Sequence, residues 1–179
     1  MLVYPPLVSN TFRAYGQNNG LSTNLLKYLA SGFSGTNSFG RPLWGFLFDI
    51  VGFKSILLPG NIILFILSIF FYYTVEYKFL FGFFIVITGF IMGSFYSIFP
   101  AYTSKKFGIK LSSEIYGLVF IAFGIANLLG PTFFFIIKRY LKVTSFEPFH
   151  YAYLIGGCCQ LVSFIICIFA PKIDEKIIS

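Results

Sequence analysis

Asn37-Ser-Phe-Gly-Arg41-Pro-Leu-Trp-Gly45-Phe-Leu-Phe-Asp49-Ile-Val-Gly52-Phe-Lys54 is the stretch from which the rest of the chain is read. It carries Arg41 well inside an apolar segment. The 21 residues between Lys27 and Asp49 are enough for a membrane helix at about 1.5 Å per residue. Arg41 lies three residues past the middle of that segment, so about 4–5 Å from the midplane. A guanidinium at that depth costs from about 2.5 to above ~10 kcal/mol unless something satisfies it. The six carboxylates (Asp49, Glu76, Glu114, Glu147, Asp174 and Glu175) all fall at the ends of apolar runs or outside them. None is expected to reach Arg41 at membrane depth. Its counter-charge then comes from other protein, from a ligand or from cavity water, which makes Arg41 a candidate site for an anion. The competing reading is a structural arginine that bonds carbonyls of a neighbouring helix.

Composition sets the class. Of 179 residues, 57% are hydrophobic, 22% aromatic and only 11% charged, where a soluble domain carries about 25% charge. The chain is expected to be an all-α, polytopic membrane helical bundle. The net charge of +7 reads as loop charge beside lipid headgroups, not as a nucleic-acid surface.

Outward from the central stretch, apolar runs predict five full transmembrane helices at about 24–48, 55–75, 79–103, 114–137 and 149–170 within one transmembrane domain, 1–179. Residues 1–12 reach only about 18 Å as a helix and lack the basic start of a signal peptide. They read as the second half of a helix, a truncated first one. Gly16, Asn18, Asn19 and Gly20 mark a loop over 13–23, Ser112-Ser113-Glu114 a helix start, and Pro100 a break. Ser31, Gly32, Ser34, Gly35, Thr36 and Ser38 give the first full span a face where another helix approaches closely, and Gly89-x-x-x-Gly93 does the same later.

The candidate substrate-binding residues are Arg41, Asn37 one helical turn earlier, Tyr96 in the aromatic and hydroxyl run Phe95–Ala101, and Asn127, the one amide of its span. Gly45, Asp49, Gly52 and Lys54 form a candidate gating loop, with Asp49 placed where a helix dipole disfavours an acid. Cys158, Cys159 and Cys167 have no His or carboxylate at ligand spacing and read as packing residues, so no metal or other cofactor is expected. His150 at a span edge reads as interfacial. Too few acids, bases and nucleophiles converge at depth for an enzyme.

Asn37-x-x-x-Arg41-Pro42-x-x-Gly45-x-x-x-Asp49-x-x-Gly52-x-Lys54 resembles the major facilitator superfamily, most of all the branch holding oxalate:formate antiporters and monocarboxylate transporters. Phe99-Pro100-Ala101-Tyr102, Lys106-Phe107-Gly108, Tyr116-Gly117, Gly124 and Gly130-Pro131 extend the likeness along nearly the whole chain. The resemblance implies the second, carboxy-terminal six-helix half of a twelve-helix secondary transporter. It also implies a small organic anion, a monocarboxylate, held by Arg41 and moved by alternating access. The partners implied are the lipid bilayer and an amino-terminal half or a second chain, with a helix end of that half meeting Asp49.

Three departures stand out. Proton-coupled carriers of that branch have an acid where Asn37 stands, oxalate carriers a lysine in the region matching 115–137, and the loop usually a basic residue at Ile50. A single cation at depth suits one carboxylate better than two. Lysine and arginine fall six and six on the two sides, so charge does not orient the chain; the resemblance places the Asp49–Lys54 loop and the tail in the cytosol. Which membrane holds the chain is not encoded in these features. The alternative function is a non-transporting membrane subunit or truncated paralogue in which Arg41 is structural.

Overall fold

The computed structural model describes residues 3–140 and 147–169. Over these the chain forms five helices: α1 (Tyr4–Asn18), α2 (Thr23–Val51), α3 (Phe53–Thr74), α4 (Lys78–Tyr140) and α5 (Glu147–Phe169). The loop at 141–146, Pro171 and the charged tail lie outside the described residues. The fold is the expected all-helical membrane bundle.

Two boundaries differ from the sequence expectation, each for a local reason. Residues 13–18 are helical, not loop. α1 ends only at Asn19–Gly20, where the Leu21 N–H donates to the Gly16 carbonyl at 2.9 Å and the Gly20 N–H to Gln17 at 3.0 Å. Gly20 takes φ 75° there, which glycine adopts freely. Ser22 then caps α2, its hydroxyl accepting from the Leu25 N–H at 3.4 Å.

The second difference is in α4. Pro100 does not break it; the helix runs on to Phe107, and the break is Gly108 at φ 76°, ψ 164°. Proline removes one backbone bond, whereas that φ/ψ region is open essentially to glycine alone. Helix resumes straight after Gly108, so Ser112 and Ser113 lie inside a helix and Ser112 Oγ donates to the Ile109 carbonyl at 2.9 Å. α4 is therefore two arms, 78–107 and 109–140, each about 45 Å long. Gly52 (φ 79°, ψ 174°) makes the same kind of single-residue reversal between α2 and α3.

Among the described residues α3, the apolar part of α4 and α5 are long and apolar enough to cross a membrane. α2 has the length, 29 residues or about 43 Å, but its glycines, serines, amides and Arg41 keep it out of that apolar set. That composition fits a helix facing a cavity.

The core is aromatic. Tyr15 of α1 packs against Phe71 of α3, Phe81 of α4 and Phe149 and Tyr153 of α5, with ring centroids 5.0–6.3 Å apart. Its hydroxyl donates to the Tyr72 carbonyl at 2.6 Å, and Thr11 and Tyr153 share a buried hydroxyl pair at 3.0 Å. These bonds satisfy groups that would otherwise be orphaned in a low-dielectric interior.

α2 meets the first arm of α4 at backbone distance. A Cβ on Gly40 would sit 2.8 Å from the Phe90 carbonyl, on Gly89 2.6 Å from the Phe33 carbonyl, and on Gly93 2.6 Å from the Asn37 carbonyl. Thr36 Oγ1 donates to Val86 at 3.0 Å and Trp44 Nε1 to Phe90 at 2.9 Å across the same seam. The expected approach face of α2 divides accordingly. Thr36 and Gly40 pack on α4, while Ser31, Ser34, Gly35 and Ser38 stay exposed on a separate face.

This seam predicts opposite outcomes for one kind of substitution. Gly89→Ala should lower the thermal unfolding midpoint of the purified protein by the equivalent of about 1–3 kcal/mol. Gly117→Ala, where a Cβ meets nothing within 4 Å, should leave it unchanged or slightly raised. Equal midpoints for the two variants would contradict the close crossing.

Candidate anion site

The glycine seam sets where α2 presents its polar residues. Asn37 and Arg41 are one turn apart and so share a face. Arg41 Nε and Nη2 both donate to Asn37 Oδ1, at 3.3 and 3.1 Å. Asn37 is 7% exposed, and its own Nδ2 donates to the Gly89 carbonyl at 3.3 Å. The chain of bonds runs from the α4 backbone through a buried amide to the guanidinium. On the other side, Arg41 Cζ lies 4.4 Å from the centre of the Tyr96 ring.

Both partners are neutral. An amide acceptor and an aromatic face each offset part of the desolvation cost, by about 1–3 kcal/mol apiece, but neither cancels the charge. The ion pair found among the described residues, Lys105 with Asp49, involves a different cation. Of the five guanidinium N–H groups, two point at Asn37, leaving three without an acceptor among the described residues. Arg41 lines an open groove of about 270 Å³ together with Phe33, Ser34, Asn37, Ser38, Met92 and Tyr96.

Of the four expected binding residues, the fold gathers Arg41, Asn37 and Tyr96 and leaves out Asn127. That amide sits on the second arm of α4 and donates to the Phe123 carbonyl of its own helix at 2.9 Å. Ser34, Ser38, Phe33 and Met92 are lining residues the sequence reading did not single out as such. For Ser34, Ser38 and Arg41 the signal was available, since steps of four and three place them on one helical stripe. Phe33 and Met92 gave none, as any phenylalanine or methionine in a span looks alike.

The four gating-loop residues separate by role. Asp49 accepts from Lys105 Nζ at 2.7 Å, and the same ammonium lies 4.7 Å from the Phe48 ring, so the end of α2 is tied to the end of the first α4 arm. Asp49 thus has a partner within this chain. Lys54 Nζ donates to the Ile168 carbonyl at 2.7 Å, a cation at the C-terminal end of α5 where the helix dipole favours it. Gly52 supplies the reversal. Gly45 has open space, with Ser97 Cβ 3.8 Å from a Cβ built there.

The described residues thus form a bundle of apolar helices with a polar groove lined in part by Arg41. Residues 2–177 match the model of the Major Facilitator Superfamily, so the chain belongs to that family and is an integral, multi-pass membrane protein. The fold is similar to the inward-open conformation of the xylose transporter XylE from E. coli, with a TM-score of 0.78 and 15% identity, covering 95% of this chain and 45% of that one. It is also similar to the proton:xylose symporter XylE bound to 6-bromo-6-deoxy-D-glucose, with a TM-score of 0.75 and 14% identity, covering 96% and 41%. At such identities the likeness is one of fold. The chain spans less than half the length of these transporters. No curated protein matches it.

The Asp49–Lys105 pair is exposed on both sides, so its stabilisation should be small. In a double-mutant cycle of Asp49→Asn and Lys105→Gln, thermal unfolding should give a coupling of about 0.2–1 kcal/mol that fades in ~1 M salt. A coupling of several kcal/mol that salt leaves intact would contradict this.

Proposed function

We propose that this chain is one six-helix half, the second, of a secondary transporter that carries small organic anions, monocarboxylates, by alternating access. The observation that carries the reading is Arg41, held by neutral partners on the wall of a groove, with two of its five N–H groups bonded to Asn37. A carboxylate takes two parallel bonds from a guanidinium and neutralises it, which a sugar hydroxyl does not do. Family membership supports transport. The groove residues support the oxalate:formate and monocarboxylate branch over a sugar, although the similar XylE structures are of a xylose transporter. Alternating access needs two bundles rocking about a midplane site, and this chain supplies one.

The proposal is tested by uptake of labelled small monocarboxylates into proteoliposomes holding the complete two-bundle transporter. Arg41→Leu should abolish saturable uptake, and Arg41→Lys should lose most of it, with both proteins inserted at parental levels. Residues 1–179 alone should give none. Parental uptake by Arg41→Leu would refute the anion site. Loss of the inserted protein would favour a structural arginine in a non-transporting subunit.

Asn37 adds a second test. Asn37→Asp would place a carboxylate beside the guanidinium in the substrate's position, so uptake at neutral pH should fall well below the parent's. Parental uptake by that variant would count against the anion site.

A further inference from the structure

A cavity of about 630 Å³ lies between α3 and α5 and shares no lining residue with the Arg41 groove. Phe53 and Leu57 of α3, Phe99 of α4 and Val162, Ile166 and Cys167 of α5 wall it. Apart from cysteine thiols and the Ser163 hydroxyl, its lining is hydrocarbon. Val162 is 56% and Ile166 65% exposed, so the cavity opens on the outer face of the bundle. Water finds too few polar partners in such a space, and leaving it empty forfeits dispersion contacts along the whole wall.

The cavity has a charged end. Lys54 follows the lining residue Phe53, and its ammonium donates to the Ile168 carbonyl in the last turn of α5 at 2.7 Å. That bond uses one of three ammonium donors. Lys106 stands at the same end: it donates to the Tyr102 hydroxyl at 3.1 Å, and the Tyr102 ring stacks on Phe53 with centroids 4.0 Å apart. From Cys167 the lining runs inward along α5 to Ile155, a helical distance of about 18 Å. One leaflet of the hydrocarbon core is about 15 Å deep. The slot therefore has the depth of a leaflet and a cation at its headgroup end.

We propose that this cavity holds one acyl chain of an anionic phospholipid from the surrounding bilayer, with the lipid phosphate on Lys54. The proposal stands apart from the reading of Arg41. A phosphate takes up the remaining ammonium donors in charge-assisted bonds while the chain fills the apolar slot. An apolar helix docked in the same space would supply no anion to Lys54.

The test is native mass spectrometry of the purified 179-residue chain with phosphatidylglycerol and phosphatidylcholine of equal acyl length. Phosphatidylglycerol should bind about fivefold more tightly, the effect of one lysine at a membrane surface. Lys54→Gln should remove that preference, and Lys27→Gln, at the opposite end of α2, should keep it. Cys159→Phe and Cys167→Phe, which fill the cavity from two points of α5, should each weaken both lipids. Bound lipid should also slow maleimide labelling of Cys159 in the unaltered chain, so the proposal does not depend on any one variant folding. Equal affinities that Lys54→Gln leaves unmoved, or binding that survives both filling variants, overturn it. Lipid binding by this chain that disappears in the complete two-bundle transporter overturns it as well, because polypeptide then fills the cavity.

Discussion

The polar groove of this bundle depends on how closely α2 and the first arm of α4 approach. Gly40, Gly89 and Gly93 bring the two backbones within the distance that any Cβ would occupy. Only at that separation does Asn37 reach the Gly89 carbonyl and Arg41 stack under Tyr96. In lipid, helix association has little hydrophobic drive, so close packing and interhelical bonds carry it. The seam therefore serves two purposes at once. It holds the bundle together, and it points a cation outward from a buried amide.

The charge is the second constraint. A guanidinium within a membrane helix is tolerated only where it faces protein, water or a ligand. Here its partners, an amide and an aromatic face, orient it without neutralising it. Two cations at helix ends among the described residues are placed differently. Lys105 meets Asp49, and Lys54 meets the last turn of α5, so these ends are tied by charged groups while the described partners of Arg41 are neutral.

The membrane class was legible from apolar runs, and the shared face of Asn37 and Arg41 from one-turn spacing, but not the bond between them. Other features depended on tertiary geometry. Both Gly16 and Gly20 suit a helix end, and which one ends α1 is seen in the backbone, where Gly20 takes φ 75° and the Leu21 N–H bonds the Gly16 carbonyl. Pro100 attracted the expected break because proline loses a bond, yet Gly108 made it by adopting a conformation proline cannot. The Asp49 partner lies 56 residues away in sequence, beyond any local pattern. On α2, serines and glycines looked equivalent as small residues. Packing separated them into a seam and a groove lining.

The central claim is that Arg41 is a ligand site for a carboxylate, and direct binding tests it without requiring turnover. Labelled propionate should bind the purified complete transporter saturably and be displaced by unlabelled acetate but not by xylose. Arg41→Leu should abolish that binding while the protein keeps its elution profile. Binding that survives Arg41→Leu, or that xylose displaces, would contradict the account.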